Sequence, residues 1–262
     1  MGGSLRAHHN DMRKLMSIAV VAASLLTGSA RAVEIENLYG GQAIVAGMFE
    51  PERTRGLRQV LLDVLVKVSA EPKLIDDPRV QPLLDRAKDF MTSYEYEDRM
   101  KGTPVRDEQG TRDRPHDLRI KFDPAKIDAA LAELGLKSWT SDRPILLAWI
   151  TIEYPGRKFI LRKDGQDGLG QKQALEAAAI RRGMKILVGE DFTIYPPLST
   201  KPDETYILKG TLRWQPDKVS WHTNWQLTNL QKERSWSVDS PSFDEAFRNG
   251  VGEAAATLAG RR

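Results

Sequence analysis

Cysteine is absent from this chain of 262 residues, and histidine occurs only four times. The absence of cysteine excludes disulfide frameworks, thiolate nucleophiles, iron–sulfur clusters and cysteine-ligated zinc. Two of the four histidines lie in the first 32 residues, so that only His116 and His222 remain beyond them. Residues 33–262 therefore cannot supply a three-histidine zinc site, and a histidine-based triad there would have to use one of these two.

The chain also lacks the short motifs of common active sites: a G-x-S-x-G nucleophile turn, a Walker phosphate loop and an H-E-x-x-H zinc motif. A glycine-rich stretch at residues 164–170 precedes a predicted helix. It lacks the lysine and serine of a phosphate loop and the order of oxygen ligands in a calcium loop. We therefore expect a plain loop there, and neither a cofactor nor a metal ion.

Excess charge of one sign is confined to the N-terminal segment. The whole chain has 39 basic and 36 acidic side chains, but residues 1–32 hold four of the basic ones and only one acidic one. The remaining residues carry 35 of each sign, so the basic offset belongs to the first 32 residues. Nucleic acid is therefore not an expected partner.

Long hydrophobic runs are missing as well. The apolar stretch at residues 15–26 follows Arg13 and Lys14 and precedes the small-residue sequence Ala30-Arg31-Ala32. This order is typical of a secretory signal peptide, and the stretch is shorter than the roughly 20 residues of a membrane-spanning helix. We predict a signal peptide at residues 1–32, cleaved after Ala32, periplasmic localisation, and no stable membrane span afterwards. Met12 is an alternative start, and an uncleaved anchor helix is the alternative to cleavage.

Helix-type and strand-type patterns alternate through the rest of the chain, which predicts the α+β class with mixed sheets. The polar run at residues 138–142 is the predicted linker between two small α/β domains, at residues 33–139 and 145–262. Predicted strands lie at residues 43–48, 94–97, 118–122, 145–152, 185–188, 206–214, 220–227 and 234–238. Predicted helices follow Pro51, Pro78 and Pro124 and lie at residues 171–182 and 242–258, the last weakened by Gly250 and Gly252.

A charged loop at about residues 97–117 is the first candidate interaction surface. Seven acidic and seven basic side chains lie between residues 97 and 123, so the charge of this stretch is balanced. Such a segment cross-links a long hairpin, forms a solvated loop, or docks a protein or polar glycan. The candidate interaction residues are Arg99, Asp107, Glu108, Arg112, Asp113 and Arg114.

Trp221 and Trp225 complete the candidate surface. They are four residues apart on a predicted strand, so both side chains face the same side of the sheet. Buried cross-strand packing is one interpretation. A flat platform for sugars or for an apolar partner surface is the other.

Several ordered motifs resemble a bacterial exported family called domain of unknown function 2066. In chain order, the motifs are residues 64–69, Asp77-Pro78-Arg79-Val80, Tyr94-Glu95-Tyr96, Phe122-Asp123-Pro124, Leu134-Gly135, Trp139 and Arg143-Pro144. The resemblance implies export but no activity, so it transfers no functional residues. From residue 145 onward, the order of elements is loosely similar to the N-terminal domain of the translocation protein TolB and to envelope accessory domains, an analogy of fold alone.

These observations predict a non-enzymatic binding or accessory module of the cell envelope. Its expected partner is an envelope protein or peptidoglycan. The alternative is a hydrolase of cell-wall glycan or peptide that uses paired carboxylates, although the sequence does not single out two of them.

Overall fold

The computed structural model describes residues 37–102, 114–141, 143–189, 206–229 and 232–261. All of them belong to one compact unit, Ala32–Arg262. The predicted signal peptide lies outside the described residues. Within the described ranges, no helix is both long and apolar enough to cross a membrane.

The first half builds a three-stranded antiparallel sheet covered by one long helix. Strands β1 (Gly40–Ala46), β2 (Met91–Asp98) and β3 (Pro115–Phe122) pair in the order β1-β3-β2. Helix α1 (Glu52–Ser69) packs on β1 through its apolar stripe. Gly56 permits the close approach, since a Cβ there would lie 2.8 Å from Val45 Cγ1.

The segment after Pro78 differs from the predicted continuous helix. The chain forms a 3₁₀ turn over Pro78–Val80, the short helix α2 (Gln81–Asp85) and a second 3₁₀ turn over Ala87–Phe90. Pro82 accounts for the break before α2, because proline lacks the N–H that a helix continuing from Pro78 would use. The pattern predicts a buried apolar stripe at Val80, Leu83, Leu84, Ala87 and Phe90; Leu84 is partly buried against the core, and the other four are buried.

The helix predicted after Asp123 is confirmed as α3 (Pro124–Glu133). The Asp123 carboxylate accepts hydrogen bonds from the backbone N–H groups of Ala125 and Lys126. Gly135 follows the helix with a φ of 75°, a conformation that suits glycine.

The second half builds a six-stranded mixed sheet. Its strands are β4 (Ile145–Tyr154), β5 (Arg157–Ile160), β6 (Lys185–Val188), β7 (Tyr206–Gln215), β8 (Ser220–Thr228) and β9 (Glu233–Ser240). The order is β5-β4-β7-β8-β9, with β6 also paired to β4, and the pairs β4–β7 and β4–β6 are parallel. Helices α4 (Leu169–Arg181) and α5 (Phe243–Leu258) contribute buried side chains to the same core. The α+β prediction is confirmed.

The two halves meet at a buried arginine. The Arg143 guanidinium donates to the Lys67 carbonyl near the end of α1, at 2.7 Å, and to the carbonyls of Arg182 and Gly183 after α4, at 2.9 and 3.1 Å. Two further hydrogen bonds reach the carbonyl of Trp139, whose ring lies 4.3 Å below the guanidinium carbon. Arg143 therefore satisfies carbonyls at the ends of two helices, one from each half.

Two other contacts reinforce this junction. Arg261 donates to the carbonyls of Ser69 and Lys137, and the Trp139 N–H donates to the Val68 carbonyl. The predicted linker is thus hydrogen-bonded to the end of α1. The division into two domains at residues 33–139 and 145–262 stays a prediction.

Candidate functional site

A cavity of about 660 Å³ opens beside the edge strand β9. One wall comes from α1 and the 3₁₀ turn Pro72–Asp76, and the others from the end of α4, from β9 and from α5. Its volume lies within the range of small-molecule and peptide-side-chain pockets, about 300–1,000 Å³.

Arg182 is the central polar group of this cavity. It follows α4 directly and is only 8% exposed. Its Nε and Nη1 atoms are buried and have no hydrogen-bond acceptor among the described residues. Gly252 of α5 makes room for the side chain, because a Cβ there would lie 3.3 Å from Arg182 Nε.

A third buried donor without an acceptor among the described residues is Nε1 of Trp236, a residue of β9 that also lines the cavity. Its neighbour on β8 provides a contrast: the buried indole of Trp225 donates to Thr223 Oγ1 at 3.1 Å. Of these two stacked indoles, Trp225 therefore has a hydrogen-bond acceptor, and Trp236 has none among the described residues.

The other two arginines of the cavity already have partners. Arg181 makes two hydrogen bonds to the Asp63 carboxylate, at 2.7 and 3.0 Å, and Arg248 makes two to Glu245, at 2.6 and 3.1 Å. Arg182 is therefore the cavity arginine whose charge is not directly paired within the described part of the chain.

The electrostatic state of Arg182 follows from its surroundings. Burial lowers the pKa of its guanidinium, and the charges of Arg181 and Arg248 act in the same direction, against those of Asp63 and Glu245. An arginine keeps its proton under ordinary conditions, so the cavity holds a buried cation with unused donors. A bound acidic group would supply the missing acceptors, because the planar guanidinium matches carboxylate and phosphate oxygens.

The candidate residues of the charged loop lie elsewhere, around the β2–β3 hairpin. Arg114 Nη1 forms an ion pair with the Asp98 carboxylate at 2.9 Å, and Arg99 Nε lies 3.7 Å from the Asp117 carboxylate. These pairs link the two strands, as the hairpin interpretation expects. The other four candidates, Asp107, Glu108, Arg112 and Asp113, lie outside the described residues.

Trp221 and Trp225 lie in the core of the second half, facing α5. They are 4% and 2% exposed, and their rings contact Phe243 and Phe247 respectively. Both side chains pack in the core, and neither presents a ring face at the surface. Their side of the sheet is the shared one that the even spacing predicts.

His116 and His222 lie on different sheets. His116 lies on β3, where its Nδ1 is 2.8 Å from the Arg114 carbonyl. His222 lies on β8 and contacts the Asp239 carboxylate at 2.6 Å. Among the described residues, no group of three metal-ligating side chains of the His, Cys, Asp or Glu type occurs.

Comparison with known proteins gives one family match. Residues 32–140 match a family described as "Domain of unknown function (DUF8605)". The match covers less than half of the chain, and it includes α1 and the turn Pro72–Asp76 but not α4, β9 or α5. No curated protein matches the chain.

Two solved structures are similar to part of the chain. One is an uncharacterised protein with 12% identity and a TM-score of 0.23, covering 46% of this chain and 92% of its own. The other is described as a neuraminyllactose-binding hemagglutinin homologue from Helicobacter pylori, with 13% identity, a TM-score of 0.23, and 46% and 80% coverage. These scores are too low to indicate a shared fold, and nothing about the ligand of this chain follows from them.

Proposed function

We propose that this chain is an exported, non-enzymatic binding protein of the cell envelope, and that the cavity at Arg182 holds an acidic group of its ligand. The observation that carries the proposal is that two residues of one cavity hold three buried donor nitrogens without acceptors among the described residues, two on Arg182 and one on Trp236. Leaving a buried donor unpaired costs about 1–3 kcal/mol, and more when the group is charged. A ligand oxygen in the cavity removes that cost.

The export part of the proposal rests on residues 12–32. They have the order of a positive segment, an apolar segment and a small-residue cleavage site. The resemblances to the domain of unknown function 2066 and to the TolB-like accessory domain agree with an envelope role, and the periplasm is the proposed location. Mass spectrometry of the exported protein checks this part, and Val33 is the expected first residue.

Nuclear magnetic resonance tests the binding part. The probe is N-acetyl-leucine, which offers one carboxylate and one apolar side chain, and it is compared with N-acetyl-leucinamide, which lacks the charge. We expect the acid to shift the indole N–H signal of Trp236, and the amide to leave it unchanged. The variant Trp236→Phe assigns that signal, since it removes one indole resonance.

Two variants separate the site from a general charge effect. Arg182→Gln removes the guanidinium and should abolish the shift. Arg213→Gln removes an exposed arginine of the same sheet, paired with Glu153 outside the cavity, and should leave the shift intact. Equal responses to acid and amide, or an undiminished shift in Arg182→Gln, would refute the proposed binding role of the cavity.

A further inference from the structure

The cavity runs along the open edge of a β-strand. Among the described strands, β9 pairs with β8 alone. Three consecutive residues of β9, Trp236, Ser237 and Val238, line the cavity. Because side chains alternate between the faces of a strand, three successive lining residues place the strand edge itself in the cavity wall. An edge strand offers unpaired N–H and C=O groups that accept another extended chain.

The charges in the cavity favour a ligand with a single negative group. The lining contains four carboxylates, on Asp63, Asp76, Glu245 and Glu253, against three guanidinium groups. Asp63 and Glu245 already neutralise two of the three arginines. Glu253 pairs with Arg234, which lies outside the lining, so that Asp76 and Arg182 are the lining charges without an ion pair among the described residues. A multiply charged phosphate would find one such guanidinium and would face Asp76, whereas one carboxylate would be matched by Arg182 alone.

The cavity also has an apolar wall. Pro72 and Ile75 lie on the 3₁₀ turn across from β9, and Ile75 is 51% exposed. On β9 itself, Val238 is half-buried on the side that faces α5. An apolar side chain next to the ligand carboxylate would cover this surface.

We infer that the ligand is an extended peptide segment that pairs with the free edge of β9 and places its C-terminal carboxylate at Arg182 and Trp236. This inference rests on the proposed function, because it uses the same cavity and the same guanidinium. Strand addition gives affinity through main-chain hydrogen bonds, and the cavity gives specificity through the carboxylate and one apolar side chain.

The test uses chemically varied peptides and the mature chain. The probe is an acetylated pentapeptide, Thr-Val-Thr-Val-Leu, with a free carboxyl end. It should bind at least about tenfold more tightly than N-acetyl-leucine, because two or more added main-chain hydrogen bonds correspond to roughly that gain. The C-terminal amide of the pentapeptide should lose about tenfold or more.

N-methylation of the probe distinguishes strand pairing from simple apolar contact. In an extended strand, alternate N–H groups point to the same edge, so one set faces β9 and the other faces away. Two pentapeptides, methylated at alternate positions, should therefore differ in affinity by about tenfold or more. Equal affinities for the two methylated forms would overturn the inference.

The outcomes separate this inference from the function on which it rests. If N-acetyl-leucine binds through Arg182 but the pentapeptide binds no more tightly, strand pairing is refuted and acid binding stands. If neither compound shifts the Trp236 indole signal, both fail. Light scattering shows whether the protein is a dimer. If it is, and if dissociation on dilution speeds hydrogen exchange of the β9 amides, a second copy occupies the strand edge and the peptide inference is overturned.

Discussion

Replacement of Arg182 by methionine should make the protein more stable. The side chain is 8% exposed, and two of its three guanidinium nitrogens are buried without acceptors. Methionine fills similar space without a donor or a charge. Because an unsatisfied buried donor costs about 1–3 kcal/mol, we expect the free energy of unfolding to increase by about 1–3 kcal/mol.

Arg143→Met is the matched comparison, since it removes another buried arginine. The guanidinium of Arg143 donates five hydrogen bonds to backbone carbonyls. Its loss would leave those carbonyls unpaired, and we expect a destabilisation of about 3–5 kcal/mol. The two substitutions are chemically identical, so opposite signs would isolate the effect of the missing acceptors.

Urea and thermal unfolding of residues 33–262, followed by far-ultraviolet circular dichroism, measure both variants. The melting temperature should move by about 2–4 °C for each kcal/mol in a chain of this size. A loss of 1 kcal/mol or more in Arg182→Met would refute the reasoning. It would mean that the guanidinium already has acceptors in solution, and the case for a ligand at this cavity would fall with it.

Three further predictions concern other buried groups. Burial lowers the pKa of Lys67 to about 8. Between about pH 8 and pH 10 the unfolded state therefore binds more protons than the folded state. The free energy of unfolding should rise with pH over this range, by up to about 1.4 kcal/mol per pH unit. The slope should vanish in Lys67→Met, and an unchanged slope in urea titrations would contradict the assignment. Gly252→Ala should preserve stability but weaken binding of N-acetyl-leucine, because a Cβ 3.3 Å from Arg182 Nε would shift the guanidinium by a few tenths of an ångström. Equal affinity would argue against this geometry. Gly250→Ala should destabilise by about 1–3 kcal/mol in the same urea assay, since its Cβ would lie 2.4 Å from the Trp225 ring, and a neutral result would count against that packing. 

Local signals in the sequence predict most of the elements. The three-and-four spacing from Leu57 to Val68 corresponds to α1, and the Asp123-Pro124 start signal corresponds to α3. The strand β5, at Arg157–Ile160, gives no clear strand pattern in the sequence, because it has only four residues, three of them exposed. The parallel pairing of β4 with β7 depends on contacts between distant segments, which periodicity does not encode.

The cavity at Arg182 was not predicted, for a similar reason. A basic residue at the end of a helix usually interacts with the helix dipole, so Arg182 carried no distinctive signal. From helix propensity alone, Gly250 and Gly252 are residues that destabilise the last helix. They are positions where a tryptophan ring and a guanidinium approach the backbone, and two glycines within an otherwise apolar helix are the signal that could have suggested close contacts.

The junction made by Arg143 and Arg261 bears on how this chain can be divided. The family match ends at residue 140, yet both arginines that bind the last carbonyls of α1 come later in the sequence. A fragment that ends at residue 140 would keep α1 but lose the two arginines that donate hydrogen bonds to the carbonyls at its C-terminal end. Studies of the matched segment in isolation should therefore retain the distal arginines or expect fraying of α1.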